Sequence, residues 1–382
     1  MDKNIKQEAS QSVKYAYWLY SIKGCTDRVR KQLFCVCTCA EEIYKLTEKQ
    51  LEALCMPSNP KLKKEDVTNI IESKKTWDLD RRWEQLVQAK ISFVSLEDAG
   101  YPSKLRNIAD APFALFYRGK LPEDEGMCAS IIGARMCSEY GRGMAKEIAQ
   151  ELAAHDVPVI SGMARGIDAA GHRGALLSGG DTYAVLGSGV DVCYPNYHRQ
   201  LYYEIIQQGG VLSEFLPGTK PESWNFPKRN RIISALSDIV LVIEAKNKSG
   251  SLITADFALE QGKDVYALPG RVTDELSAGC NRLIAQGAGP ILSVEDLLKE
   301  LFLLPLFSSK EASQRKDFSK TKKLPLEKDD MLVYGCLGLL PLNLEEILEK
   351  TGLDIQTASC ILVSLQQKGL IEEIYKNYYK II

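Results

Sequence analysis

The feature that most constrains this chain is a succession of six short apolar runs between residues 128 and 300: ASIIG, VPVIS, TYAVLG, GVLSEF, DIVLVIEA and DVYALPG. They are rich in β-branched residues and alternate with helical patterns. Continuous apolar runs of that length are the mark of strands buried on both faces. Strands alternating with helices build a parallel sheet covered on both sides. The expected fold class is therefore α/β, with a Rossmann-like, doubly wound parallel sheet over residues 121–307. In such sheets ligands bind beyond the carboxyl ends of the strands, where loops meet helix amino termini.

The flanks read differently. A chain of 382 residues exceeds what one hydrophobic core usually organises. Residues 1–75 carry helical patterns separated by polar or glycine breaks and read as a small helical domain. Residues 76–120 read as a connector, with Tyr101-Pro102 and Ala111-Pro112 enforcing extended turns. The stretch 308–330, SSKEASQRKDFSKTKKLPLEKDD, has no periodic apolar positions and reads as a flexible linker. Residues 331–382 pattern as three helices and a strand pair, the order of a winged helix.

Composition excludes several classes of function. The formal net charge of -2 rules out a uniformly basic protein, so nucleic-acid contact has to come from a local cationic patch. The start MDKNIKQEAS has no apolar signal core, so the eleven cysteines read as reduced thiols of a cytoplasmic protein. The longest apolar runs, IVLVI at 239–243 and LFLLPLF at 301–307, fall short of the roughly 20 residues of a membrane span. Cys35, Cys37 and Cys39 alternate along the chain without a His or CxxC pair to complete a tetrahedral set. Neither a metal nor another cofactor is expected.

Five loops after the strand runs have the chemistry of an anion track. The first holds Gly133-Ala134-Arg135, with Ser138 as a helix cap. The second is Ser161-Gly162-Met163-Ala164-Arg165-Gly166-Ile167-Asp168. Glycine lets the backbone approach an oxyanion, helix amino termini offer N–H donors, and arginine adds a bidentate grip. The third loop, from Leu186-Gly187-Ser188-Gly189, leads to Tyr194 and then Asn196, Tyr197, His198 and Arg199. The fourth, Trp224-Asn225-Phe226-Pro227-Lys228-Arg229-Asn230-Arg231, interleaves rings that stack bases with cations that hold phosphates. The fifth, Lys248-Ser249-Gly250-Ser251-Leu252-Ile253-Thr254, is a natural anion nest at a helix start. A structural reading competes at two positions: Arg229 and Arg231 are equally served by Glu214 or Glu244 as neutralising partners. His172 reads as a packing residue, because no nucleophile is presented to it.

The segments IIGARMCSEYGRGMAKEIA, SGMARGIDAAGHRGALLSGGDTYAVLGSGVDVCYP, FLPGTKPES, FPKRNRIISALSDIVLVIEA, SGSLITADFALEQGKDVYALPG and GCNRLIAQGA, in that order, resemble the DprA/Smf family over about 170 residues. The resemblance implies a protein that binds and protects single-stranded DNA during natural transformation and helps load the RecA recombinase. It also implies a homodimer through the Rossmann-like domain and no enzymatic turnover. By the family pattern Arg135, Ser161, Gly162, Arg165, Phe226, Lys228, Arg229, Asn230 and Arg231 surround the DNA cleft. Loop chemistry adds Gly133, Gly166, Arg199, Ser249, Gly250 and Thr254 to the expected contact set. The amino-terminal domain, 1–75, resembles the family's helix-hairpin-helix or SAM-like module, but with Gly24-Cys25-Thr26 in place of a Gly-x-Gly hairpin. Residues 331–382 hold four Lys, no Arg and six Asp plus Glu, which suits a partner or regulatory surface better than DNA. Two rival readings stay open. One is a phosphoribohydrolase-like enzyme, against which Leu268-Pro269-Gly270-Arg271-Val272-Thr273 stands where a PGGxGT loop is required. The other is a sensor of a small nucleotide ligand, which needs a closed pocket.

Overall fold

The computed structural model describes residues 3–55, 62–301, 328–337, 342–368, 370–375 and 377–381. The expected linker at 308–330 lies outside the described residues up to 327. The chain divides into two compact units, 1–301 and 302–382.

Five helices open the first unit: α1 (Lys3–Ser21), α2 (Asp27–Phe34), α3 (Ala40–Lys45), α4 (Glu48–Ala53) and α5 (Lys64–Thr76). Two of these helices, α2 and α4, start at threonine side-chain caps. The Thr26 hydroxyl accepts from the Val29 N–H, and Thr47 and Gln50 form a reciprocal capping pair at α4. Trp18, Leu19, Leu33, Ile43, Leu51 and Ile70 are fully buried between these helices.

The stretch expected to be a connector is built into the sheet instead. After α6 (Leu79–Gln88) come β1 (Ser92–Ser95), α7 (Ser103–Arg106) and β2 (Ala114–Gly119). β1 and β2 pair antiparallel, and β2 pairs antiparallel with β6 (Gly210–Ser213). Phe93 and Phe116 pack among the amino-terminal helices, around Tyr17 and Tyr20. The helices therefore share one core with this sheet edge, and no boundary at 75 or 120 separates cores. Strands of four and six residues leave too little periodic signal in the sequence to reveal such pairing.

The remaining elements alternate as expected: β3 (Ala129–Ile132), α8 (Glu139–Ala154), β4 (Val159–Ser161), α9 (Ile167–Leu177), β5 (Thr182–Val185), α10 (Arg199–Gln208), then β6. They continue with α11 (Asn225–Leu236), β7 (Ile239–Val242), α12 (Gly250–Glu260), β8 (Asp264–Ala267), α13 (Ala278–Ala285), β9 (Gly289–Pro290) and α14 (Val294–Glu300). The sheet order is β1-β2-β6-β5-β4-β3-β7-β8-β9, and the strands from β3 onward are mutually parallel. This is the Rossmann-like, doubly wound arrangement. Residues of β3, β4, β5 and β7 are buried throughout, which is why their runs show no alternation.

The second unit contains α15 (Lys328–Cys336), β10 (Leu342–Asn343), α16 (Leu344–Thr351), α17 (Ile355–Gln367), β11 (Ile371–Tyr375) and β12 (Tyr378–Ile381). Its sheet runs β10-β12-β11 and is antiparallel, so a short third strand joins the expected pair. Val333, Ile347, Leu362, Leu365 and Ile371 form its core.

Candidate functional site

From β3 the chain winds outward through β4, β5 and β6, and from β7 through β8 and β9 on the other side. Between β3 and β7 lies the point where the winding direction changes, and there the loops after the two strands part. A cleft of about 440 Å³ opens at that point. It brings together Gly133 and Arg135 after β3, Phe226, Arg229 and Asn230 of α11, and Ser249, Gly250 and Thr254 at the start of α12.

Arg135 is exposed on the rim, its guanidinium 5.4 Å from the centre of the Phe226 ring. Lys246 and Lys248 stand on the opposite rim, after β7. Lys246 is held by Glu275 at 2.6 Å, whereas Arg135 and Lys248 enter no ion pair among the described residues. At the start of α12 the Ser249 hydroxyl accepts from the Ser251 N–H, and Asn230 Nδ2 donates to the Gly250 carbonyl at 3.2 Å. That bond lashes α11 to α12 and turns the amino terminus of α12 toward the cleft.

The floor is built from buried charges. Arg229 is 4% exposed and donates through Nη1 to the carbonyls of Gly162 and Val185. Burial pushes its guanidinium down to about 10, so it is still a cation at neutral pH. Asp168 faces it. The Asp168 carboxyl is pushed up by burial and drawn back by Arg229 and by the N–H groups of Ala164 and Gly162, at 3.4 and 3.1 Å.

These contacts correct the expected phosphate cradles. Two amides of the loop after β4, those of Gly162 and Ala164, are already taken by Asp168. The start of α8 is likewise occupied: Glu244 accepts from the Ser138 N–H at 2.9 Å and from its hydroxyl, while that hydroxyl accepts from the Gly141 N–H at 3.0 Å. A helix end that binds its own carboxylate does not offer itself to a phosphate. Of the three helix starts after β3, β4 and β7, only that of α12 faces the cleft without a carboxylate on it.

Other expected contact residues serve the framework. Ser161 is fully buried and donates to the Ile131 carbonyl at 2.6 Å. Gly162 is small because a Cβ there would lie 2.5 Å from the Arg229 guanidinium. Arg231 is buried and paired with Glu214 at 2.7 Å and Asp110 at 2.8 Å. Lys228 is half-exposed, 3.4 Å from the same Glu214 and over the Phe215 ring, and does not line the cleft. Arg199 is exposed on α10 away from the cleft. Arg165 and Gly166 lie just beyond Arg135, in a neighbouring groove. Gly166 has φ +77°, and a Cβ there would meet the Ala134 carbonyl at 2.2 Å. His172 packs as expected, its Nδ1 2.7 Å from the Thr182 hydroxyl. Burial pushes it down to about 3. Lys246 and Met136 were not expected in the cleft. The cations of the AKNK run directly after the β7 pattern are the signal that could have drawn attention to Lys246.

Residues 92–302 match the family described as DNA recombination-mediator protein A, from the first residue of β1 to just past α14. The chain belongs to that family. The matched stretch begins with the sheet edge that sequence patterning had assigned to a connector, so β1 and β2 are part of the family's own domain. Among curated members, DNA processing protein DprA of Streptococcus pneumoniae is 44% identical over 209 residues, 55% of this chain and 73% of its own length. Protein Smf of Synechocystis is 42% identical over 320 residues, 76% of this chain and 80% of its own. The crystal structure of the Streptococcus pneumoniae protein superposes with a TM-score of 0.62 at 35% identity, covering 75% of this chain and 97% of that one. The DNA processing protein A structure from Helicobacter pylori, described for its single-stranded DNA binding mode, gives a TM-score of 0.50 at 29% identity. It covers 57% of this chain and 97% of that one.

Proposed function

We propose that this family member binds single-stranded DNA in the cleft between β3 and β7, protects it, and helps load the RecA recombinase onto it during natural transformation. The observation that carries the reading is the make-up of that cleft. An arginine without an ion pair among the described residues, over a half-buried phenylalanine that lines the cleft, faces a cationic rim and an open helix start, which suits a base and its flanking phosphates together. The Helicobacter pylori relative's binding mode supports it. RecA handover and a homodimer through the Rossmann-like domain, in the cytoplasm, complete the reading by family resemblance. No helix among the described residues is long and apolar enough to cross a membrane. The element order of the second unit supports a winged helix, and its acidic balance supports a partner surface there.

Of Asp168, Glu214 and Glu244, the acids an enzyme could use here, only Asp168 lines the cleft among the described residues. Its Oδ2 already accepts two loop amides and its charge answers Arg229, which suits a structural counter-ion better than a general acid. The test is binding of the full chain to single-stranded and duplex oligonucleotides of increasing length at two salt concentrations. Preference for single strands, with steep salt dependence, is the expected result. Tighter binding of a mononucleotide than of any oligomer, or turnover of nucleotides that Asp168→Asn abolishes, would overturn it.

A further inference from the structure

Beyond Arg135 the cleft continues into a second concavity of about 840 Å³ that runs over α8 and α9. Arg135 and Met136 line both, so the two are continuous. The groove carries Arg142 and Lys146 from α8, Arg165 from the loop after β4, and Arg173 from α9, all exposed. Among the described residues no Asp or Glu lines it. Lys146, Arg165 and Arg173 enter no ion pair among the described residues, and Arg142 has only an exposed contact with Glu139 at 3.5 Å. Gly166, Ala169 and Ala170 keep its bed shallow, and the Tyr197 ring, 64% exposed, stands at its wall.

Five cations along one open groove, in a chain of net charge -2, are a concentration that needs a polyanion to balance it. Arg142 and Lys146 are four residues apart on one helix, about 6 Å along its axis, so their heads follow one another along the wall and not around the helix. A small ligand would need a closed pocket with converging donors, and this groove is open along its length. An exposed aromatic ring beside a row of cations suits an unstacked strand, whose bases are free to stack, better than a duplex.

We infer that the groove over α8 and α9 holds the sugar-phosphate backbone of the strand that leaves the cleft, through Arg142, Lys146 and Arg173. The inference rests on the single-strand reading of the cleft and adds a direction to it: the bound strand exits past Arg135 toward Tyr197. Short oligomers are then held by the cleft alone, and longer ones by cleft and groove together.

The test compares the full chain with a triple variant, Arg142→Ala, Lys146→Ala and Arg173→Ala, by fluorescence anisotropy on short oligo(dT) and on oligo(dT) of roughly 20 nucleotides. Each single variant is measured alongside, so that a folding fault in the triple does not stop the experiment. The triple variant binds the short oligomer as the unaltered protein does. It binds the long one 10- to 100-fold more weakly, with a salt slope shallower by about 2. Equal affinity and equal slope on the long oligomer would overturn the groove. If the unaltered protein bound neither length, the cleft reading itself would fail and the groove with it. Loss of short-oligomer binding in correctly folded variants would merge groove and cleft into one site and overturn the division drawn here.

Discussion

The floor and the rim of the cleft use the same side chains for opposite ends. Arg229 in the floor and Arg231 on the same helix, outside the cleft lining, are each nearly inaccessible, and each is answered by the protein itself: one by Asp168 and backbone carbonyls, the other by Glu214 and Asp110. Arg135 and Lys248 stand on the rim and enter no ion pair among the described residues. A buried cation must be neutralised locally because its desolvation is not repaid otherwise, whereas an exposed one keeps its hydration and is available to a ligand. Burial, and not residue type, separates the arginines that the protein neutralises itself from those it leaves open to a ligand.

The distinction breaks most easily at Arg231. Arg231→Ala leaves the buried Glu214 with only the half-exposed Lys228, at 3.4 Å, to answer it, and unfolding in urea is expected to show a loss of about 3 kcal/mol. A stable Arg231→Ala protein that had lost DNA affinity would move Arg231 to the rim class.

Gly162→Ala probes the floor from the other side. The added Cβ displaces a guanidinium that is pinned by two carbonyls, so a loss of roughly 1–3 kcal/mol is expected in the same measurement. Unchanged stability would mean that Arg229 moves freely and belongs with the rim.

Acid sharpens the contrast. His172, on α9 beside the floor, is neutral in the fold because burial pushes it from 6.5 down to about 3. Below pH 6.5 the unfolded chain takes up a proton that the folded chain refuses. Its contribution to stability is therefore full above pH 6.5 and is lost as pH falls toward 3, by about 1.4 kcal/mol per pH unit. Urea midpoints across that range, compared with those of His172→Asn, are expected to show a shallower acid-side decline in the variant.

The rim predicts the smallest effect on the fold. Arg135→Ala is expected to weaken single-strand binding about tenfold, or 1.4 kcal/mol, and to flatten the salt slope by about 0.7 while the urea midpoint stays in place. Lys228→Ala, whose cation is half engaged by Glu214, is expected to cost less than Arg135→Ala in the same titration. A larger loss at Lys228 would redraw the rim.

Much of this was legible along the chain. The alternation of apolar runs with helical patterns announces the sheet, because strands buried on both faces need unbroken apolar runs. Glycines and arginines after those runs announce where a ligand sits. The edge strands β1 and β2 were not legible: SFVS is four residues long and pairs only with β2, and β2 joins the sheet through β6, far along the chain. The fourth loop was legible as a cationic cluster and misleading as a site. Of Lys228, Arg229 and Arg231, two are buried and the third leans on a carboxylate.

By itself the sequence determined the element types and the end of the sheet where chemistry gathers, because both follow from local periodicity and from the handedness of strand-helix-strand crossovers. Only the tertiary structure decided which charges are free. Asp168, Glu214 and Glu244 are ordinary acids along the chain, and folding places each one on a loop amide, a buried arginine or a helix start. Desolvation and Coulomb attraction depend on neighbours within a few ångströms, and those neighbours are set by the packing of separate strands and helices.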